Sequence, residues 1–108
     1  MVKEITAFGG KALANHDDVV NGDKIVKAAV DAFGTVDILI NNAGFLRDVG
    51  FLKMTDDDFT SVVQCHLFGT YKLTRAVWNI MRDKSFGRII NTCSGSGIYG
   101  SFGQVVNK

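Results

Sequence analysis

The chain has 108 residues, of which 46% are hydrophobic and 21% charged, and its formal net charge is +1 at pH 7. This fits one globular unit near the lower end of ordinary domain size. Lys and Arg are scattered, so no basic face for nucleic acid or an anionic membrane is expected, and no apolar run approaches the roughly 18 residues of a membrane span. The two cysteines lack the spacing of a zinc site. We expect an intracellular, cytoplasmic protein with no metal centre.

The N-terminal part predicts the end of a helix within residues 1–8, a short strand at 11–14 and an amphipathic helix over 21–34. In the amphipathic helix, apolar residues recur at helical spacing, at Ile25, Val26, Ala29, Val30 and Phe33. Residues 36–40 then read Val-Asp-Ile-Leu-Ile. Because this run is short, β-branched and almost wholly apolar, it predicts a parallel strand that is covered on both faces.

The C-terminal part predicts a long helix and a second strand. Thr55 followed by Asp58 resembles a capping box, and it opens a helical stripe of apolar residues over 55–84. Residues 88–92 read Arg-Ile-Ile-Asn-Thr and predict a strand. Residues 93–103 are rich in Gly and Ser, which predicts a loop.

The strands at 36–40 and 88–92, with the long helix between them, form one βαβ unit. A right-handed crossover makes the two strands parallel and brings their carboxyl ends together. Ligands of open α/β sheets bind beyond those ends. The sequence therefore predicts a site in which residues 41–44 and 92–97 are neighbours.

Residues 41–44 read Asn-Asn-Ala-Gly directly after an apolar strand, which resembles a motif of the short-chain dehydrogenases/reductases. The resemblance implies an incomplete domain of that family over 1–108. Its fold class would be α/β, a partial Rossmann-type doubly wound parallel sheet without the first two strands and the C-terminal part. It also implies NAD as cofactor, with NADP not excluded, bordered by Asn42, Ala43 and Gly44. The residues alone equally fit an Asx-type turn.

Residues 89–97 resemble the strand and loop that carry the family's catalytic serine, which makes Ser94 the candidate. Its hydroxyl would hydrogen-bond the substrate oxygen whose charge changes during hydride transfer, whereas the alternative is a plain loop hydroxyl like that of Ser96. His66 occupies the position of a family asparagine that helps hold a water in a proton relay. A histidine can also donate and accept, but a satisfied core histidine is an equally good interpretation.

Residues 46–48, 66–71 and 96–104 together are similar to the dehydrogenase part of peroxisomal multifunctional β-oxidation enzymes of type 2, also called 17β-hydroxysteroid dehydrogenase type 4. This resemblance implies a peroxisomal homodimer as parent enzyme, which oxidises (3R)-hydroxyacyl-CoA or a steroid-like secondary alcohol with NAD in fatty-acid β-oxidation. It also places Asn15 and His16 near the adenine ring. The chain itself shows no targeting signal of the Ser-Lys-Leu type.

Two family elements have no counterpart in the sequence. Residues 95–100 fit Gly-x-Gly-x-x-Gly by letter, but no acidic residue follows about 20 positions later, so we do not interpret them as the cofactor-phosphate loop. The tyrosine of the family's Tyr-x-x-x-Lys motif is replaced by Asn107, and no tyrosine precedes Lys108 at that spacing. We therefore expect an enzyme fragment that is inactive alone. The alternative is a non-catalytic truncated product whose long helix serves as an oligomerisation element.

Overall fold

The computed structural model describes residues 1–104. Over this range the chain forms five α-helices and two strands. In chain order these are α1 (Val2–Ala7), α2 (Gly22–Phe33), β1 (Ile38–Asn41), α3 (Asp56–Val63), α4 (Thr70–Asp83), β2 (Arg88–Asn91) and α5 (Gly95–Tyr99). Short 3₁₀ turns lie at Val19–Asn21 and Phe51–Lys53, and a π-helical segment, Gln64–Gly69, joins α3 to α4. The expectations for Asn107 and Lys108 lie outside the described residues.

The two strands form a parallel sheet in which the first pair is Ile38 with Arg88 and the last pair is Asn41 with Asn91. This confirms the α/β class and the βαβ unit, in which helical structure from Asp56 to Asp83 forms the crossover. A parallel pair needs such a long connection because the chain must return to the starting edge of the sheet. The result is part of a Rossmann-type α/β fold, in which the carboxyl ends of both strands lie on the same side.

The core lies between one face of this sheet and helices α2 and α4. Its buried residues, contributed by the apolar stripes of the two helices, are Val26, Leu73, Val77 and Met81. Leu39 and Ile89, one from each strand, pack against this cluster. Alternate residues of a strand point to opposite faces, so each strand places one side chain between the helices.

Among residues 1–104 no element covers the opposite face of the sheet, which corrects the expectation of a strand covered on both faces. Ile38, Ile40 and Ile90 are 56%, 60% and 51% exposed. Both helices that pack on the sheet lie on the other side, so the apolar run of β1 has only half of the cover that its composition predicts. We call these three side chains the open sheet face.

The helix predictions hold in their main features. Helix α1 lies within 1–8, and α2 ends at Gly34 in the left-handed conformation (φ 85°) that caps a helix. Thr55 and Asp58 form the expected capping box at the start of α3. The long helix is continuous in direction but widens to π geometry at 64–69, a change that periodicity does not reveal.

Two local predictions are wrong. Residues 11–14 form no strand, because no described segment pairs with them. The predicted loop 93–103 contains the short helix α5, which Ser94 caps at its start and Gly100 ends with φ 78°. Within residues 1–104 no helix combines the length and the apolar character that a membrane crossing needs.

Neighbouring residues of β1 provide a test of the two sheet faces. We expect Leu39→Lys to lower the free energy of unfolding by at least about 2 kcal/mol, because it loses apolar burial and places a charge in the core. Ile40→Lys should change it by less than about 0.5 kcal/mol. Because Ile40→Lys places a charge on the open sheet face, it should also reduce self-association of the chain. Urea titration and sedimentation velocity measure these quantities, and equal destabilisation by both changes would contradict the assignment of faces.

Candidate active site

The site forms where the two strands end side by side. The Asn41 Nδ2 group donates to Asn91 Oδ1 at 2.8 Å and to Thr74 Oγ1 of α4 at 3.4 Å. One residue further along, Thr92 Oγ1 donates to Asn42 Oδ1 at 3.1 Å. These bonds join the Asn-Asn-Ala-Gly segment to the segment that leads to Ser94, as the parallel arrangement predicted.

The two asparagines differ in burial and role. Asn41 is 8% exposed and ties both strands to α4, so its side chain is part of the interior. Among the described residues, its Oδ1 atom is buried without a hydrogen-bond partner. Asn42 is exposed at the carboxyl edge, where its Oδ1 accepts the bond from Thr92 of the neighbouring strand end. Asn41 is therefore part of the interior, and Asn42 lies on the exposed carboxyl edge of the sheet.

A cleft of about 580 Å³ opens beside the Asn-Asn-Ala-Gly segment. Its wall combines the 3₁₀ turn at 19–21, the loop after β1 and the π-helical segment, through Asp17, Asp18, Val19, Val20, Ala43, Phe45, Ser61, Gln64 and Cys65. Gly69 permits this arrangement: a Cβ atom at that position would lie 2.6 Å from Val19 Cγ2. Because Gly69 has no side chain, the 3₁₀ turn at 19–21 can pack directly against the long helix.

The structure does not place Asn15 and His16 in the wall of this cleft. The Asn15 side chain instead closes a local turn, in which its Oδ1 accepts from the Asp17 N–H at 2.9 Å and its Nδ2 donates to Asp17 Oδ2 at 3.0 Å. The cleft wall begins just beyond, at residues 17–20, which sequence reasoning did not select. Their composition gave no indication, since the close approach depends on the distant Gly69.

Ser94 lies two residues beyond the Thr92 bridge and is half-buried. Its Oγ accepts a hydrogen bond from the Ser96 N–H at 3.3 Å, which makes it the N-cap of α5. A hydroxyl that accepts a bond still has its own proton to donate. The bond from the Ser96 N–H thus holds the Ser94 side chain at the edge of the site. The hydroxyl proton of Ser94 can still be donated to another group.

His66 lies within the π-helical segment and is half-buried. Its Nε2 atom accepts from the backbone N–H of Phe45, the first residue after Asn-Asn-Ala-Gly, at 3.1 Å. The structure thus connects His66 to the residue that follows the Asn-Asn-Ala-Gly segment. Over residues 1–104, the His, Cys, Asp and Glu side chains form no group of three that could hold a metal ion.

The two neighbouring asparagines give a matched test of the strand junction. Asn41→Ala should lower the free energy of unfolding by about 1–3 kcal/mol, because it removes a buried side chain and its hydrogen bonds to Asn91 and Thr74. Asn42→Ala, at the exposed position, should cost less than about 0.5 kcal/mol. Urea denaturation followed by circular dichroism measures both changes. A larger loss for Asn42→Ala would show that the buried and exposed positions have been exchanged.

Known proteins resemble this chain over nearly its whole length. Residues 1–106 match the short chain dehydrogenase family. The chain is 62% identical over 104 residues to peroxisomal multifunctional enzyme A of Dictyostelium discoideum, covering 96% of this chain and 24% of that protein. It is 58% identical over 105 residues to the peroxisomal hydratase-dehydrogenase-epimerase of Saccharomyces cerevisiae, covering 96% and 12%.

A solved structure agrees with these matches. Full-length peroxisomal multifunctional enzyme type 2 from Drosophila melanogaster is 41% identical and superimposes with a TM-score of 0.84, over 96% of this chain and 18% of that one. The chain thus spans about a quarter or less of the length of these relatives. It belongs to the short-chain dehydrogenases, a family of oxidoreductases that use nicotinamide cofactors.

Proposed function

We propose that this chain supplies the central part of a dehydrogenase that oxidises (3R)-hydroxyacyl-CoA, or a related secondary alcohol, with NAD in peroxisomal fatty-acid β-oxidation. The observation that carries the proposal is the junction of the two strand ends, where Thr92 bonds to Asn42. It puts the Asn-Asn-Ala-Gly segment beside the Ser94 segment at the edge where open α/β sheets bind ligands. The names of the multifunctional relatives support the dehydrogenase activity and the peroxisomal compartment, while the substrate class rests on the sequence resemblance described above.

The residues at this edge fit a nicotinamide dinucleotide. Asn42, Ala43 and Gly44 are exposed and have small or short side chains, so a planar ligand can approach their backbone. The adjacent cleft offers apolar walls from Val19 and Val20 for the adenosine half. These residues would hold a nicotinamide whose chemistry is hydride acceptance from the substrate carbon. The chain's own part is to hold that cofactor and to orient the substrate oxygen.

Ser94 is the residue that would orient the substrate oxygen. Its Oγ is fixed by the Ser96 N–H, so the hydroxyl proton can point away from α5 toward a carbonyl or alcohol oxygen. Donation to an oxygen that gains negative character stabilises the transition state more than the ground state. Ser96 lies within α5 and its backbone already serves Ser94, which makes it the matched control.

The test uses a graft in which this chain replaces the 104 aligned residues of the 62% identical relative. Ser94→Ala in this graft should lower kcat by about 10²–10³ with little change in NAD affinity, because one oriented donor is lost. Ser96→Ala should lower kcat by less than about tenfold. NADH absorbance during oxidation of a (3R)-hydroxyacyl-CoA reports both rates. Equal activity of the two variants would remove Ser94 from the catalytic role.

A second function, association through the long helix, is favoured by the outer face of the π-helical segment and α4. Leu67, Tyr71 and Trp78 are 64%, 50% and 58% exposed and share a groove of about 620 Å³. Exposed aromatic and aliphatic side chains in one groove are typical of protein interfaces. We propose that this face forms the homodimer contact of the parent enzyme. If the chain acts without catalysis, the same face is the surface through which it associates with another copy.

Trp78→Glu should weaken dimers of the graft at least about tenfold, because it places an unpaired charge in a buried contact. Leu52→Glu, at an exposed site on the 3₁₀ turn Phe51–Lys53, is the control and should leave the dimer intact. Sedimentation equilibrium gives both dissociation constants. Dimers that resist Trp78→Glu would exclude this face.

A further inference from the structure

The loop that follows Asn-Asn-Ala-Gly is attached to the long helix by His66. The Phe45 N–H donates to His66 Nε2 at 3.1 Å across 21 residues of sequence. Because Nε2 accepts this bond it carries no proton, so the ring is neutral with its hydrogen on Nδ1. The bond from Phe45 therefore requires the Nε2 atom of His66 in its unprotonated form.

The same loop has a second attachment beside the first. The Arg47 guanidinium lies 5.2 Å from the centroid of the Phe45 ring, and that ring is tilted against the His66 ring at 6.2 Å. Arg47 Nε also lies 3.8 Å from Asp58 Oδ1 in the capping box of α3. The loop is thus connected to the first turn of α3 through Arg47 and to the π-helical segment through Phe45.

This geometry points to a role for His66 that differs from that of a proton relay. We propose that His66 is a positioning residue whose Nε2 acceptor fixes Phe45, and thereby holds Asn42, Ala43 and Gly44 in the conformation that receives the cofactor. The proposal rests on the proposed function. Phe45 follows Gly44 directly, so any displacement of its backbone is passed to the segment that borders the ligand.

Two amide substitutions separate this role from a relay. In glutamine, Oε1 is the same number of bonds from Cα as Nε2 in histidine, so His66→Gln retains an acceptor near Phe45. In asparagine, the acceptor lies where Nδ1 lies, so His66→Asn does not reach Phe45. A relay based on the family's asparagine predicts the reverse order, with Asn restoring function better than Gln.

The first measurement is hydrogen exchange at the Phe45 amide in the 108-residue chain. His66→Leu and His66→Asn should speed exchange about five- to tenfold, whereas His66→Gln should stay within about twofold of the parent. His16→Leu is the control, since it changes the other histidine of the chain, which is exposed. The same exchange rate in the parent and His66→Leu would overturn the proposal.

The second measurement separates NAD binding from the chemical step in the graft. His66→Leu and His66→Asn should raise KM for NAD about five- to tenfold with kcat changed less than about twofold, and His66→Gln should restore KM. A fall in kcat that Asn repairs and Gln does not would overturn positioning in favour of the relay. A graft without hydride transfer would overturn the proposed function and the cofactor role with it, while the exchange data would still decide whether His66 holds the loop.

Discussion

The parallel pairing of β1 with β2 is the constraint on which the site depends. The register ends with Asn41 opposite Asn91, so the residues that follow each strand emerge as neighbours. A slip by one residue would reverse the faces of a strand, exposing Asn41 and burying Asn42. The bond of Asn41 to Asn91 and its contact with Thr74 oppose such a slip, because they are made at the buried strand end. One asparagine therefore fixes the geometry that places its neighbour on the exposed edge.

Much of this architecture could be predicted because its causes are local. Three kinds of pattern indicate this architecture: the apolar stripe of α2, the Thr55–Asp58 capping box and the apolar runs of the two strands. The residues that make up each pattern are close together in the sequence. The predictions that are wrong concern features that depend on residues far away in the sequence. Residues 11–14 have the composition of a strand but no described strand beside them, and β1 has one uncovered face because both packing helices lie on the other. Sequence pattern indicates what a segment can bury, and only its neighbours decide whether it does.

The same distinction applies to the candidate site. Ser94 and residues 42–44 could be selected as candidates from sequence, since they come within a few residues of strands whose ends must meet. The cleft beside Ala43 could not, because it requires Val19 to approach Gly69 from far away in the chain. For His66 the sequence left two interpretations open, and the bond from Phe45 depends on the π-helical turn, which leaves no periodic trace.

The two sides of the site are consequently held by different kinds of interaction. The serine side is organised locally, since Ser94 caps the helix that follows it and needs only the Ser96 N–H. The side formed by Asn-Asn-Ala-Gly and the loop after it depends on long-range contacts, with Phe45 bound to the π-helical segment and Arg47 near the start of α3. Disturbance of the long helix should therefore reach the cofactor loop before it reaches the hydroxyl. For the function proposed above, this separation would allow Ser94 to keep its geometry while the loop after β1 changes its conformation.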